Sequence, residues 1–381
     1  MSKQVIILGS TGSIGKSSLQ LLGQHKENYQ IVTLTARQNA RLLATQAIAC
    51  QASNVVLADA SKLPLLKELL AAHPINVYAA SDDFLASSQT YDLAIVGIAG
   101  IAALQPICQL LAKTKIMALA NKESIICAGE FILQAAQQQQ TQIIPLDSEH
   151  NAIWQVFEER NRQQIKQVML TASGGPFLHQ DPATYQHIKP SAAVQHPKWS
   201  MGQKISVDSA NMVNKGLEVM EACLLFKLPL QQVGALIHPQ SIMHGLVYYQ
   251  DGSMLAHLAD HNMQIPIATA LNYPNRTACQ HKNIDLAKIG ALQFQEISPT
   301  QFPLFFLAQT AFQAGIAARI IFNIVNEVAV AAFLRGEIGF LDINKMINQG
   351  LEKFSKPEIN SIEAVHSFSK MIEQQAKELL S

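Results

Sequence analysis

The 381-residue chain has no excess of charge: 28 basic and 28 acidic side chains cancel, and charged residues make up only 15% of it. Without a global field of either sign, nothing draws it to nucleic acid or anionic lipid, and any anion it takes must be held by local donors. Cysteine is scarce. Cys50, Cys108, Cys127, Cys223 and Cys279 are odd in number, scattered and without C-x-x-C spacing, which argues against a disulfide framework or a zinc site and for free thiols in a reducing cytoplasm. An uninterrupted apolar run of membrane-spanning length is also missing. The most apolar stretch, Gly315 to Leu334, is broken by Arg319, Asn323, Asn326 and Glu327, so it is expected to be a buried amphipathic helix rather than a bilayer span. A strand is expected within a few residues of the N-terminus, so no export signal is expected.

What is present is 49% hydrophobic residues, enough to bury the cores of two or three domains. From Val5 to Leu146, short apolar runs alternate with helix-like segments: Val5–Leu8, Ile31–Leu34, Asn54–Leu57, Leu93–Val96, Ile116–Leu119 and Gln142–Leu146. That alternation predicts a parallel sheet covered by helices on both faces. Beyond Ser148, glycine-, proline- and histidine-rich stretches read as loops around a site, with strands expected at Val168–Thr171, Ala235–His238, Met243–Tyr249 and Ser253–Leu258. From Pro303 onward helical spacing dominates. The expected fold class is therefore α/β: an N-terminal doubly wound Rossmann-like domain over 1–147, a central α+β domain over 148–275, a linker over 276–302 and a small α-helical C-terminal domain over 303–381.

Gly9-Ser10-Thr11-Gly12-Ser13-Ile14-Gly15 follows a strand and opens a helical pattern, the context in which backbone N–H groups approach a pyrophosphate at a helix N-terminus. The spacing is G-x-x-G-x-x-G, and the same spacing also serves a turn that holds no ligand. After the second strand, Ala36-Arg37-Gln38-Asn39 carries no acid for ribose hydroxyls, and Arg37 suits the 2′-phosphate of NADP; a solvated loop cation is the plain alternative. Asn121, Lys122 and Glu123 follow another strand at the sheet edge where such folds bind ligands.

Asp147 and Glu149 stand at i and i+2 after the run Ile143–Leu146, so continued strand geometry would aim both carboxylates to one side. Glu218 and Glu221 lie at i and i+3 of a helical segment and offer a third carboxylate, Glu218 being the favoured ligand. Hard oxygen donors of this kind suit Mg²⁺ or Mn²⁺. Ser173 in a Gly-Gly turn, Ser209 at the expected start of a helix, Asn214 and Lys215, with His196, supply what a phosphate monoester needs. The segment near 196–204, with Trp199, Met201 and Gly202, is expected to form a lid.

Taken in order, the segments Gly9–Gly15, Ala120–Ser124, Asp147–Ile153, Thr171–Phe177, His196–Gly202, Lys204–Glu218 and Leu236–Ser241 resemble the 1-deoxy-D-xylulose 5-phosphate reductoisomerase family over nearly the whole chain. The resemblance implies an NADPH- and Mg²⁺- or Mn²⁺-dependent homodimer that rearranges a small phosphorylated sugar and reduces the product, in non-mevalonate isoprenoid synthesis. It implies metal ligands at Asp147, Glu149 and Glu218. Substrate contacts fall at Ser148, Ser173, His196, Ser209, Asn214 and Lys215, with Lys122 near both substrate and nicotinamide. Two departures stand out: Arg37-Gln38-Asn39 shifts or replaces the family's basic position after the second strand, and Asn323-Ile324-Val325-Asn326-Glu327 replaces the family's commoner Asn-Ala-Ala-Asn-Glu. The rival readings are another NADP-linked dehydrogenase of a small phosphorylated carbonyl compound and a catalytically silent NADP-binding protein.

Overall fold

A computed structural model of the chain describes residues 2–79, 88–199, 201–276, 278–279 and 283–380. Ser200 of the expected lid and positions 277 and 280–282 of the expected linker lie outside the described residues, as do 80–87 of the first domain. The chain divides into two compact units, each assembled from three segments. Unit 1 takes 1–121, 132–151 and 262–281, and unit 2 takes 122–131, 152–261 and 282–381. The sequence alone leads one to expect consecutive domains.

Unit 1 is built on a seven-stranded sheet of β1 (Lys3–Leu8), β2 (Tyr29–Ala36), β3 (Asn54–Leu57), β4 (Asn76–Ala79), β5 (Tyr91–Val96), β6 (Thr114–Leu119) and β7 (Gln142–Pro145). The order is β4-β3-β2-β1-β5-β6-β7, with every pairing parallel. The chain runs outward one way from β1 and resumes on its other side at β5, so the topological switch lies between β1 and β5, where doubly wound sheets bind ligands. Val5 to Leu8 are essentially inaccessible, as an apolar strand covered on both faces requires. Helices α1 (Ser13–Gly23), α2 (Ala40–Cys50), α3 (Leu63–Leu70) and α4 (Leu104–Leu111) connect these strands. The strand β4 escaped the sequence reading because it is a four-residue edge strand with exposed alternate side chains, Tyr78 among them.

Helix α5 (Lys122–Gln138) has a non-helical residue at Ala128, and its last residues Gln137 and Gln138 are exposed, as expected of the glutamine run. Helix α6 (Ser148–Val156) follows β7.

Unit 2 has a four-stranded mixed sheet, β8 (Ile165–Ala172), β9 (Val233–Ile237), β10 (Met243–Tyr249) and β11 (Met254–Leu258), in the order β11-β10-β8-β9. After a four-residue helix α7 (Pro190–Ala193) come α8 (Gln203–Ala210) and α9 (Val213–Leu225). Ile165, Val168, Leu170, Val219, Ala222, Val233 and Val247 pack strands and α9 into one apolar core, which Phe302 and Phe305 join. Helix α10 (Gln264–Asn272) returns to unit 1, where Tyr29 Oη donates to the Leu271 carbonyl at 3.0 Å. The rest of the chain forms α11 (Leu286–Ile289), α12 (Pro303–Gln313), α13 (Ile316–Arg335), α14 (Phe340–Lys353) and α15 (Ile362–Glu378). Helix α13 is the one described helix long and apolar enough to cross a membrane, but it is largely buried inside the protein. Its Arg319, 2% exposed, is paired with Glu130 at 2.5 Å and lies over Phe312, which is how a core helix accommodates a guanidinium.

Candidate active site

At the carboxyl end of β1 the chain turns at Gly9, whose φ is +79° and whose missing Cβ would lie 2.9 Å from the Gly97 carbonyl. Only glycine fits both demands. Gly9 N donates to Thr35 Oγ1 at 3.0 Å and Ser10 N to the Thr35 carbonyl at 2.8 Å, pinning the loop to β2. Ser10 Oγ donates to Gln46 Oε1, and Gln46 Nε2 returns to the Ser10 carbonyl. Thr11 is half-buried, Gly12 and Ser13 are exposed, and Ile14 is half-buried against Gly97. Gly12 caps α1 without a side chain, so the first-turn N–H groups remain for an anion.

Ala36 ends β2 buried, while Arg37, Gln38 and Asn39 are exposed beside it. Asn39 Oδ1 accepts from Leu42 N and caps α2, so its side-chain oxygen already has a structural partner. Asn121 Nδ2 donates to the carbonyls of Ile98 and Gly100 at 3.0 and 2.9 Å and ties the ends of β5 and β6 together.

Asp147 and Glu149 are brought close by a different geometry from the one expected. The strand β7 stops at Pro145 and α6 begins at Ser148, so the i, i+2 alternation of a strand does not reach them. Asp147 instead sits at the helix N-terminus, with Oδ1 accepting from Glu149 N at 3.2 Å and its carbonyl from Asn151 N at 2.8 Å. Ser148 Oγ donates to Glu149. His150, absent from the candidates read in the sequence, is fully buried with Nδ1 3.5 Å from Asp147 Oδ1. Its signal was its place inside the Asp-Ser-Glu-His motif itself.

In unit 2, the Ser173-Gly174-Gly175 turn packs against the end of α8. Gly175 has φ +70°, and a Cβ there would lie 2.8 Å from the Ser209 carbonyl, so Ser209 is brought against this turn by backbone contact. Ser209 closes α8 rather than opening a helix, as the sequence had suggested. Met212 adopts φ +64° and Asn211 Oδ1 caps α9 through Val213 N, so the chain breaks between two helices just after Ser209.

His196 has a defined tautomer. Its Nδ1 accepts from Lys198 N and Trp199 N at 3.1 and 2.9 Å, so the ring proton is on Nε2, which donates to Ser173 Oγ at 2.9 Å. Burial pushes His196 down to about 4, with His261 adding to the effect. Ser173 Oγ also accepts from Gly175 N at 3.1 Å. With two donors filling its lone pairs, its own proton is left to point at an incoming anion.

On the first turns of α9, Glu218 is 1% exposed and collects three donors. Lys122 Nζ lies 2.9 Å from Glu218 Oε1, Asn214 Nδ2 2.5 Å from the same oxygen, and Lys215 pairs with the other oxygen. Lys122 Nζ also donates to Asn214 Oδ1 at 2.9 Å. Glu221, one turn on, is 2% exposed. A buried carboxylate needs such compensation, and the same ammonium groups suit a phosphorylated ligand. In the expected lid, Trp199 stands against the rings of His244 and His261 at 6.3 and 5.8 Å, Met201 is half-buried, and Gly202 caps α8. Glu123, expected at the cofactor, faces Lys204 at 3.7 Å.

Three family models match: 1-deoxy-D-xylulose 5-phosphate reductoisomerase over residues 5–129, its C-terminal domain over 143–226, and the DXP reductoisomerase C-terminal domain over 258–375. The chain belongs to the 1-deoxy-D-xylulose 5-phosphate reductoisomerase family. The enzyme of that name from Zymomonas mobilis is 40% identical over 379 residues, covering 99% of this chain and 98% of its own. The one from Rhodospirillum centenum is 41% identical over 366 residues, with 96% and 91% covered. Among solved structures, the reductoisomerase of Zymomonas mobilis in complex with NADPH superimposes with a TM-score of 0.94 at 38% identity, all of both chains being covered. A reductoisomerase in complex with NADPH, fosmidomycin and magnesium gives 0.94 at 34% identity, with 99% and 98% covered.

Proposed function

We propose that this reductoisomerase converts 1-deoxy-D-xylulose 5-phosphate to 2-C-methyl-D-erythritol 4-phosphate with NADPH and a divalent ion. The observation that carries the reading is the donor cluster on α9 and the Ser173 turn, which has the chemistry of a phosphate site within a chain of this family. Unit 1 carries NADPH: Gly9, Ser10, Thr11, Gly12, Ser13 and Ile14 cradle the pyrophosphate, and Ala36, Arg37, Gln38 and Asn39 meet the 2′-phosphate. Asn121, Glu123 and Gly202 are proposed as further cofactor contacts.

Asp147, Glu149 and Glu218 are proposed to hold Mg²⁺ or Mn²⁺. They offer carboxylate oxygens and neither thiol nor imidazole, which is the donor set hard cations prefer. When bound, the ion supplies charge stabilisation for the oxygen atoms of the rearranging carbon skeleton and NADPH supplies the hydride. His150 keeps Asp147 in place. Ser148, Ser173, Ser209, Asn214 and Lys215 bind the sugar phosphate, with His196 orienting the Ser173 proton. Lys122 orients the reacting end. Trp199 and Met201 exclude water when the 196–204 segment covers the substrate.

The enzyme is proposed to act as a cytoplasmic homodimer. The free edge of β11, with Met254 and Leu255 exposed, is the kind of surface a second copy covers, and the cytoplasmic assignment rests on cysteine spacing. The test is product analysis: incubation with NADPH, Mg²⁺ and 1-deoxy-D-xylulose 5-phosphate is expected to give a product with the mass and carbon spectrum of 2-C-methyl-D-erythritol 4-phosphate. Reduction without carbon rearrangement would favour an ordinary NADP-linked dehydrogenase.

A further inference from the structure

Helix α8 carries Ser209 at its last turn yet has weak local support, since Gly202 caps it without a side chain and its first turn holds no acid. Its anchor is Lys204. The ammonium lies 2.7 Å from Asp208 Oδ2 one turn along and 3.7 Å from Glu123 Oε1 in the first turn of α5. Asp208, 1% exposed, accepts with its other oxygen from Asn326 Nδ2 on α13 at 2.9 Å. The next residue on α13 is Glu327, which accepts from Asn323 Nδ2 at 3.3 Å. Three helices are thus joined around one ammonium. The chain neighbours of its two carboxylates are site residues: Glu123 follows Lys122, and Asp208 precedes Ser209.

We propose that Lys204 is a positioning residue for the reaction: by holding Glu123 and Asp208 together it fixes where Lys122 and Ser209 meet the phosphorylated substrate. The inference rests on the functional reading above. The electrostatics suit such a latch. Burial opposes the Lys204 charge, but Asp208, Glu123 and Glu327 outweigh that and hold its affinity for the proton above the ordinary lysine value. Glu327 is pushed up to about 7, first by burial and then by Glu123 and Asp208, with Lys204 and the Asn323 hydrogen bond opposing. The groups facing Glu327 are Lys204 and Asp208 on α8, Glu123 and Cys127 on α5, and Asn323 on its own helix. Below pH 7 Glu327 is neutral and leaves the ammonium to Glu123 and Asp208; above it, a third carboxylate competes.

The experiment compares wild type, Lys204→Met, Lys204→Arg and Glu327→Gln, with folding checked by circular dichroism. Lys204→Met is expected to weaken inorganic phosphate binding by calorimetry and to raise KM for the sugar phosphate, each about tenfold, a loss the size of one charged hydrogen bond. KM for NADPH is expected to rise as well, because Lys204 also holds Glu123, assigned above to the cofactor side, and Lys204→Arg, which keeps the charge, should recover most of both losses. The ratio of wild-type to Glu327→Gln KM, in which the substrate's own titration cancels, should rise from pH 6 to pH 8. Phosphate affinity and sugar-phosphate KM unchanged in Lys204→Met, or no recovery in Lys204→Arg, would overturn the proposal; if Lys204→Met does not fold, a flat ratio for Glu327→Gln does so. Because phosphate binding needs no turnover, an inactive wild type would count against the functional reading alone.

Discussion

At the scale of single residues, the site depends on which proton points where. His196 accepts two backbone N–H groups through Nδ1 and therefore donates through Nε2, so Ser173 receives two hydrogen bonds and keeps one to give. Because burial holds His196 down to about 4, this arrangement persists across the neutral range and is lost only as pH falls toward that value. In the proposed phosphate site the hydroxyl would then contribute a hydrogen bond to a charged phosphate, worth about 1.5–3 kcal/mol. Ser173→Ala is accordingly expected to lower kcat/KM for the sugar phosphate by about 10–100-fold while leaving KM for NADPH unchanged, as steady-state kinetics would show. An equal loss for both substrates would mean that the residue supports the fold rather than the anion.

At the scale of elements, the Ser173-Gly174-Gly175 turn and the α8–α9 break act as one backbone unit. Gly175 is required twice, by φ +70° and by the Ser209 carbonyl 2.8 Å from its missing Cβ. A left-handed non-glycine residue costs about 1–2 kcal/mol before any clash. Gly175→Ala should therefore lower the melting temperature and also raise KM for the sugar phosphate, because relieving the clash moves Ser209; a variant with reduced stability but native KM would show that the turn does not place the serine.

These elements mark the limit of what the sequence could tell. The strands of unit 1 were legible because strands buried on both faces read as continuous apolar runs, whereas the edge strand β4 buries too little to leave such a pattern. Asp147 and Glu149 were identified as candidates through their residue types, but not their geometry, since a helix N-cap after β7 cannot be told from a continuing strand by alternation over three residues. Ser209 was placed at the wrong end of a helix because the break at Met212 depends on a left-handed non-glycine residue. The Lys204 cluster was invisible for another reason: its partners come from α5, α8 and α13, more than a hundred residues apart in the chain between Asp208 and Asn326.

At the scale of the whole molecule, a doubly wound sheet with its switch point between β1 and β5 and a mixed-sheet unit carrying the proposed phosphate cluster stand in a chain of the reductoisomerase family. The central claim is that hydride transfer in this chain depends on a divalent ion held in part by Glu218, a carboxylate that is 1% exposed and already surrounded by Lys122, Asn214 and Lys215. The most direct measurement is NADPH oxidation driven by 1-deoxy-D-xylulose 5-phosphate, with and without a chelator, in wild type and Glu218→Gln. The account predicts turnover in wild type that stops with chelator and returns with added Mg²⁺, and a variant slowed by at least about a hundredfold, as expected when a ligand to a catalytic ion is lost. Turnover that survives chelation, or a Glu218→Gln enzyme as fast as wild type, would contradict it.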